Sequence, residues 1–381
     1  MSRCSWEPVL PEHSGGRFTN QLLPTILDGI VEKDLFKDIR INTRKEDRID
    51  RELLAKALKA LCPGIRFTRA FLTKNQNRLP LVTSLLSMLD YSLSSGQSLV
   101  SGLSPDEIKT ARILLERAIY ETIEHEEIPT AKDYWPSREP NRFTKQLVTW
   151  LDSIRRKPTS VGVITSNYDV AIEKAWGFKR RSMARVDSRS RSLDFGFDWI
   201  WPSHWYPETI IPRPATPLRR LYKLHGSTNW LSCGLCDRVY INPKVDIAVY
   251  ERISTPNSSC HCGHGRLEVQ IVSPSFVREM RAPNLISVWQ RALNWLRKAD
   301  DWIIIGYSFP DEDLNIRSLF TRALASRKDR PHVTAIQFGA NEETRMRYET
   351  FFPATRRQNY RTPSNRSVAD SLVRYNSPEK S

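Results

Sequence analysis

The chain has 381 residues, 40% of them hydrophobic, which suits one large domain with insertions or two domains. No apolar run approaches the roughly 18 residues of a membrane span, and no signal segment opens the chain, so we expect a cytoplasmic protein. The 58 basic and 43 acidic residues give a net charge of +15. A nucleic-acid contact would explain this excess, and so would a solvated basic loop.

The first 155 residues favour helices after an irregular lead over residues 1–16. At Ser104 the sequence Ser-Pro-Asp-Glu forms a capping box with proline at the first helical position, which predicts a helix start. Apolar residues at three- and four-residue spacing predict further helices from Thr19 and over residues 51–61, 81–89 and 143–154. This spacing indicates packing, so no site is predicted in the helical part.

The stretch VGVITSNYD, from Val161 to Asp169, passes from an apolar run directly into polar side chains. Its β-branched residues predict a strand covered on both faces, with the polar groups at its carboxyl end. Ligands bind at that edge of an open α/β sheet. A strand that simply ends in a polar loop is the alternative. A short helix is predicted next, over residues 170–176.

Residues 177–220 form a basic and then proline- and tryptophan-rich segment. Its basic loop, residues 179–191, reads KRRSMARVDSRSR and is a candidate contact for nucleic acid. Five prolines within residues 202–217 argue against regular secondary structure. We therefore predict an irregular excursion that forms a lid or partner surface, or that packs on the body of the protein.

Four of the six cysteines fall as a CxxC and a CxC pair within residues 231–265. Two short sulfur pairs separated by a loop of this size suit a tetrahedral structural zinc ion, and four thiolates would leave no position open for catalysis. His261 or His264 could replace one thiolate, and a ribbon without metal is the alternative. The predicted ligands are Cys233, Cys236, Cys260 and Cys262.

Three more predicted strands end in small or polar residues, and helices at 287–298 and from Asp311 lie between them. This alternation implies a parallel sheet whose carboxyl ends converge on one crevice. Polar side chains there could hydrogen-bond the ribose hydroxyls of a nucleotide, and glycines would allow close approach of the backbone. The strands are predicted at 221–224, 302–305 (fully buried) and 333–338, and the candidate lining residues are Ser166, Asn167, Asp169, His225, Gly226, Gly306, Ser308 and Asn341.

Taken in order, TSNYD, LHGS followed by the cysteine ribbon, and GYSFPDED resemble the sirtuin-like family, and most closely its bacterial members in antiphage defence. The resemblance covers about residues 17–345. It implies an α/β domain over 17–353 with a Rossmann-like parallel sheet, a helical insert at 40–155, the excursion at 177–220 and the zinc ribbon, followed by a basic, disordered tail at 354–381.

The resemblance also implies a reaction, the cleavage of the bond between nicotinamide and ribose in NAD. It places Asn167 and Asp169 at the nicotinamide ribose and makes His225 the catalytic histidine. Together with the polar residues at the strand ends, the resemblance predicts a set of nucleotide contacts. These are Thr165, Ser166, Gly226, Gly306 and Ser308, with Asn341 at the adenosine end. NAD is then the substrate and zinc a structural ion.

The family opens with a buried strand and a Gly-Ala-Gly-x-Ser turn, and residues 1–16 carry neither. We expect either a chain that starts late or a degenerate copy, with unpaired strands beside the missing one and with activity that depends on that element. The long helical insert favours an NAD hydrolase over an NAD-dependent deacylase. A non-catalytic subunit that binds nucleotide or nucleic acid is the third alternative, and a homo-oligomer or a partner defence protein is the expected assembly.

Overall fold

The computed structural model describes residues 18–33, 45–75, 79–95, 102–127, 142–155, 161–177, 180–182, 185–186, 192–201, 209–217, 219–233, 235–241, 260–263, 267–272, 282–310, 313–337, 342–352 and 359–361. Several predictions fall outside these residues: the lead at 1–16, most of the basic loop at 179–191, His264, Asn341 and most of the tail at 354–381.

Five of the described helices, all in the first third of the chain, pack around a core of their own, and we call them the helical region. That core is built from leucine, isoleucine and alanine side chains on the inner faces of the helices, among them the fully buried Leu27, Leu58 and Leu115. The helices are α1 (Phe18–Val31), α2 (Lys45–Leu61), α3 (Arg69–Asn75), α4 (Val82–Ser95) and α5 (Pro105–Glu127). Of these, α3 was not predicted from the sequence.

The capping box predicted at Ser104 is confirmed. The Ser104 backbone N–H donates to the Glu107 carboxylate at 2.8 Å, and the Glu107 N–H donates to the Ser104 hydroxyl at 3.2 Å. Two N–H groups that no helical carbonyl can reach are thereby satisfied, which fixes the start of α5.

The rest of the described residues form both strands and helices, around a second and larger core whose members run from Val148 to Phe352. The elements in chain order are α6 (Arg142–Arg155), β1 (Val163–Thr165), α7 (Ala171–Ala175), β2 (Arg180–Ser182), β3 (Arg185–Val186), β4 (Leu193–Asp194), β5 (Trp199–Trp201), β6 (Thr209–Ile211), β7 (Arg219–Lys223), β8 (Gly226–Cys233), β9 (Val239–Ile241), β10 (Leu267–Ile271), α8 (Pro283–Lys298), β11 (Asp301–Ile305), α9 (Leu314–Ala325), β12 (His332–Ile336), α10 (Glu342–Phe351) and β13 (Asn359–Arg361).

Two three-stranded sheets carry the parallel pairing that the sequence predicts. One has the order β1-β7-β4 and the other the order β11-β12-β13, and every pair in both is parallel. Helix α8 packs against both sheets: the Trp295 indole lies beside Gly162 next to β1, and the Trp302 indole of β11 donates to the Leu296 carbonyl at 3.2 Å. The predicted α/β class with a parallel sheet is confirmed.

The prediction that β1 and β11 are fully buried is wrong. Ile164 and its two neighbours in β1 are half-buried, and so are Ile303, Ile304 and Ile305 in β11. Among the described strands, β1 and β11 are each the outer strand of their sheet, so one edge of each lacks a neighbouring strand that would cover it.

A five-stranded sheet of order β10-β8-β9-β5-β6 contains part of the proline-rich segment. The prediction that residues 202–217 lack regular structure is wrong for β6, which pairs with β5 in antiparallel register. Pro212 follows β6 and does not interrupt it, and β6 lies at the edge of its sheet, where a missing N–H donor is tolerated. Within the basic loop, β2 and β3 form a short antiparallel pair.

None of the described helices is long and apolar enough to cross a membrane.

Candidate functional site

The loop that follows β1, residues 166–170, is shaped by short-range hydrogen bonds. The Thr165 hydroxyl accepts the Asn167 backbone N–H at 3.1 Å, and one Asp169 carboxylate oxygen accepts the Ala171 N–H at 2.9 Å at the start of α7. Such turns are typical of threonine and aspartate, whose short side chains reach backbone groups two residues on. Asp169 therefore helps to start α7, while its place at a ribose stays a prediction, and Ser166 and Asn167 are half-buried.

His225 lies in the turn between β7 and β8 and is only 6% exposed. Its ring has an aromatic neighbour on each of two elements, with centroids 6.1 Å from Tyr168 and 6.3 Å from Trp289. The adjoining backbone is fixed as well, because the His225 carbonyl accepts the Val272 N–H at 2.8 Å and the Leu224 carbonyl accepts the Trp289 indole N–H at 2.8 Å. The imidazole is thus almost fully buried, with an aromatic ring on each of two sides.

Parallel pairing of β1 with β7 brings the 166–170 loop and His225 together. Thr165 is in register with Lys223, and the Leu224 N–H donates to the Thr165 carbonyl at 2.9 Å. Tyr168 extends the link, since its hydroxyl donates to the Val272 carbonyl at 2.8 Å and its ring packs against the core of the helical region. Two of the four predicted strand ends therefore meet, and the helical region adjoins them.

Strand packing requires a glycine at position 226. Its φ is +82°, and a Cβ atom there would stand 2.1 Å from the Gln270 carbonyl oxygen of β10. No side chain fits that gap. The close approach at Gly226 is therefore to the neighbouring strand, while its prediction as a nucleotide contact stays a prediction.

The loop that follows β11, residues 306–310, carries Gly306 and Ser308. Gly306 has a φ of +59° and its N–H donates to the Ile336 carbonyl at 2.7 Å, which ties the loop to β12. Ser308 is half-buried. Both residues lie at the carboxyl end of β11, the edge where the sequence places them, whereas Asn341 is outside the described residues.

A buried ion pair beneath the 166–170 loop is absent from the sequence prediction. Lys223 and Glu173 are 0% and 1% exposed, and their charged groups lie 2.9 Å apart. Burial raises the pKa of the Glu173 carboxyl, and the neighbouring Lys223 ammonium opposes that rise. The one sequence signal is a lysine between Tyr222 and Leu224 in the predicted strand 221–224, which by itself does not separate a buried amine from an exposed one.

Gln337, directly after β12, is a second buried polar residue that the sequence prediction missed. It is 0% exposed, its amide nitrogen donates to the Tyr307 carbonyl at 2.7 Å, and its amide oxygen has no partner among the described residues. This side chain supports the 306–310 loop from within the core.

The four predicted metal ligands come together at one end of the five-stranded sheet. All four sulfur atoms lie within 4.8 Å of one another, with 3.7 Å between Cys233 and Cys262 and 3.4 Å between Cys236 and Cys260. Tetrahedral zinc with Zn–S bonds of about 2.3 Å requires sulfur–sulfur separations of roughly 3.8 Å, so the spacing fits such an ion. These four cysteines are positioned to bind a metal.

Each cysteine pair is followed by a residue with left-handed backbone, Asp237 with φ 56° and Gly263 with φ 77°. The Asp237 N–H donates to the Cys233 carbonyl at 3.0 Å and the Gly263 N–H donates to the Cys260 carbonyl at 2.9 Å, so each pair lies in a tight turn. Burial raises the pKa of Cys236 to about 12, and a bound cation would favour the thiolate instead.

His261 does not join the sulfur cluster. Its Nδ1 lies 2.9 Å from the Tyr240 hydroxyl, and the two rings stack with centroids 5.6 Å apart. Among the described residues the group with metal-ligand spacing is the set of four cysteines.

One family model matches the chain, that of the SIR2-like domain, over residues 161–352. This range is slightly more than half of the 381 residues and spans β1 to the end of α10. No curated protein matches the sequence at a significant level.

Proposed function

Because the chain belongs to the SIR2-like domain family, and that membership implies the use of NAD, we propose that it cleaves the bond between nicotinamide and ribose in NAD. The observation that carries the proposal is the meeting of the Asn167 loop with His225 at the carboxyl ends of β1 and β7. Ligands bind at this edge of parallel sheets. The half-buried side chains of Thr165, Ser166 and Asn167 supply hydroxyl and amide groups suited to ribose.

The chemistry requires a site that tolerates positive charge on the sugar and that controls water. Cleavage of a glycosidic bond builds oxocarbenium character at the anomeric carbon. In the proposed mechanism Asn167 orients the attacking water or a ribose hydroxyl, and His225 accepts a proton from one of them. The Tyr168 and Trp289 rings beside His225 limit the access of bulk water to the imidazole.

We favour water over a protein-bound acyl group as the nucleophile. The supporting observation is that Tyr168, in the centre of the 166–170 loop, packs against the core of the helical region. A helical region next to the loop restricts the space in which an acylated peptide would have to lie. The proposed activity is therefore that of an NAD hydrolase.

The direct test incubates the purified chain with NAD and measures nicotinamide release, with and without an acetylated peptide. Release that is independent of the peptide supports the hydrolase, release that requires the peptide would instead indicate a deacylase, and no release in either case would contradict both. His225→Ala is expected to lower release by about 10²–10⁴-fold. The matched control is His332→Ala. His332 lies at the amino end of β12, away from the carboxyl ends of the strands, and pairs with Asp301 at 3.3 Å.

We also propose that the cysteine cluster holds one structural zinc ion. The Cys233 and Cys260 thiols are buried, and the cluster joins the β8–β9 turn to the segment before β10. Metal analysis is expected to find about one zinc per chain, and Cys260→Ser is expected to lower both that content and the melting temperature. Unchanged stability after removal of the metal would contradict a structural role.

A further inference from the structure

Lys223 is fully buried at the end of β7, and its ammonium group is surrounded by oxygen atoms. The Nζ atom lies 2.9 Å from a Glu173 carboxylate oxygen, 2.7 Å from the Ser227 hydroxyl and 3.2 Å from the Tyr168 carbonyl, and it also contacts the Asp169 carbonyl. An ammonium group has three N–H donors, so these acceptors use its full capacity. Ser227 in turn donates to the Tyr168 carbonyl at 3.1 Å.

Two of these acceptors belong to the backbone of the 166–170 loop. The Tyr168 carbonyl also accepts the Thr228 N–H at 3.0 Å, so it is a junction between the loop and β8. Glu173 lies on α7, which follows the loop directly, and its carboxylate holds the ammonium from the other side. The lysine therefore binds the loop at its centre and just beyond its end.

The same group is tied to the position of His225. Lys223 precedes His225 by two residues and Ser227 follows it by two, so the two residues that grip the loop flank the histidine along the chain. A shift of the ammonium group would alter the distance between the loop and His225.

Stability alone is a weak reason for such a pair. Replacing a buried ion pair with apolar side chains of similar volume is often neutral or stabilising, because removing two charges from water costs as much as their attraction returns. What an apolar pair cannot do is donate hydrogen bonds to two loop carbonyls in a fixed direction. Glu173 also neutralises the ammonium, so the site gains a rigid anchor without a net positive charge that would repel an oxocarbenium.

We propose that Lys223 is a positioning residue for the cleavage of NAD, and this role rests on the proposed function. It acts through the backbone of Tyr168 and Asp169 and sets the placement of Asn167 relative to His225. It does not touch the reacting atoms. A misplacement of about 1 Å in such a site costs roughly 100-fold in rate.

The test compares the wild-type full chain with Lys223→Met and Tyr222→Phe. Tyr222 is the adjacent buried residue of β7, and its hydroxyl donates to Asp194 at 3.2 Å, away from the loop, so Tyr222→Phe reports the effect of a lost buried hydrogen bond. Hydrogen exchange of the amides of residues 166–171 is measured first, since it needs no activity. We expect exchange about tenfold faster in Lys223→Met and unchanged in Tyr222→Phe.

Nicotinamide release is measured second. For Lys223→Met we expect kcat to fall roughly 100-fold while KM for NAD changes less than about threefold, because the ribose is still bound but is misaligned with the catalytic groups. Faster loop exchange with a kcat equal to that of Tyr222→Phe would overturn the positioning role. Unchanged loop exchange would overturn the anchor itself.

Ser227→Ala is the second variant and keeps the ion pair while it removes one bond to Nζ and one to the Tyr168 carbonyl. It tests the same anchor if Lys223→Met does not fold, and a smaller change in the same two readouts is expected. Wild-type protein that releases no nicotinamide would overturn the proposed function and with it this role, while the exchange measurement would still decide whether Lys223 holds the loop.

Discussion

The two strand-end loops of the parallel sheets are anchored in opposite ways. The 166–170 loop, after β1, is held from below by a buried ion pair and by the hydroxyl of Ser227. The 306–310 loop, after β11, is held through the Tyr307 carbonyl by two neutral donors, the Gln337 amide and the Tyr348 hydroxyl. The backbone of the first loop is bonded by a fully buried ammonium group, whereas the charged group that bonds the backbone of the second loop, the Arg317 guanidinium, is only half-buried.

The second loop is also held by an aromatic plug, the ring of Phe309 packed among neighbouring aromatic side chains. Phe309 is fully buried against Phe320, Tyr348 and Phe351, although its backbone has a left-handed φ of 53° that costs about 1–2 kcal/mol in a residue with a side chain. Burial of the ring offsets this cost. Outside the plug, the Arg317 guanidinium donates to the Pro310 carbonyl at 3.0 Å and lies 4.8 Å from the centre of the Phe309 ring.

The two loops differ in the groups that they can present to a ligand. Polar anchors from below leave Ser166 and Asn167 half-buried and available at the edge of the sheet. The side chain of Phe309 is buried in the aromatic plug and cannot face a ligand, so the second loop presents mainly backbone groups and Ser308. Side-chain chemistry is therefore expected at the β1 end, and backbone contacts are expected at the β11 end.

The largest expected effect on stability is that of Glu173→Gln. The substitution keeps the shape but leaves the Lys223 ammonium buried without a counter-charge, which is expected to lower the free energy of unfolding by about 3–5 kcal/mol. Chemical denaturation at pH 7 measures it. A loss below about 1 kcal/mol would remove the distinction between a charged and a neutral anchor.

A smaller effect is expected for Arg317→Leu in the second loop. The variant loses hydrogen bonds to the Phe309 and Pro310 carbonyls and the contact with the Phe309 ring, which together are expected to cost about 2 kcal/mol. The same denaturation experiment applies. Because the plug itself stays intact, the cost should remain smaller than that of Glu173→Gln, and the reverse order would contradict the comparison.

The smallest effects are expected for two matched tyrosine variants, Tyr348→Phe and Tyr168→Phe. Each removes one hydroxyl that donates to a backbone carbonyl, that of Tyr307 in the first case and that of Val272 in the second. Each is expected to cost about 1 kcal/mol of unfolding free energy. They should differ in function: Tyr168→Phe is expected to lower nicotinamide release more than Tyr348→Phe, since Tyr168 lies beside His225. Equal activities would mean that the two loops contribute alike.

Local signals in the sequence predicted a large part of the fold. The capping box at Ser104 and the apolar spacing of the helices depend on residues three or four apart, and both appear in the structure. The sequence also predicted the cysteine cluster, because two cysteines close in sequence form one edge of a tetrahedral metal site. Proline content was a poorer guide, since β6 forms between prolines at the edge of a sheet.

By itself the sequence determined which strand ends carry polar groups, which cysteines form a cluster and where α5 begins. Only the tertiary structure decided which strand ends meet, that β1 and β11 are half-buried edges among the described strands, and that Lys223 is a buried anchor. The physical reason is the distance along the chain over which each interaction acts. Periodicity and capping act within one element, whereas the ammonium group of Lys223 is defined by carbonyls 54 and 55 residues earlier in the chain, and no local pattern encodes that contact.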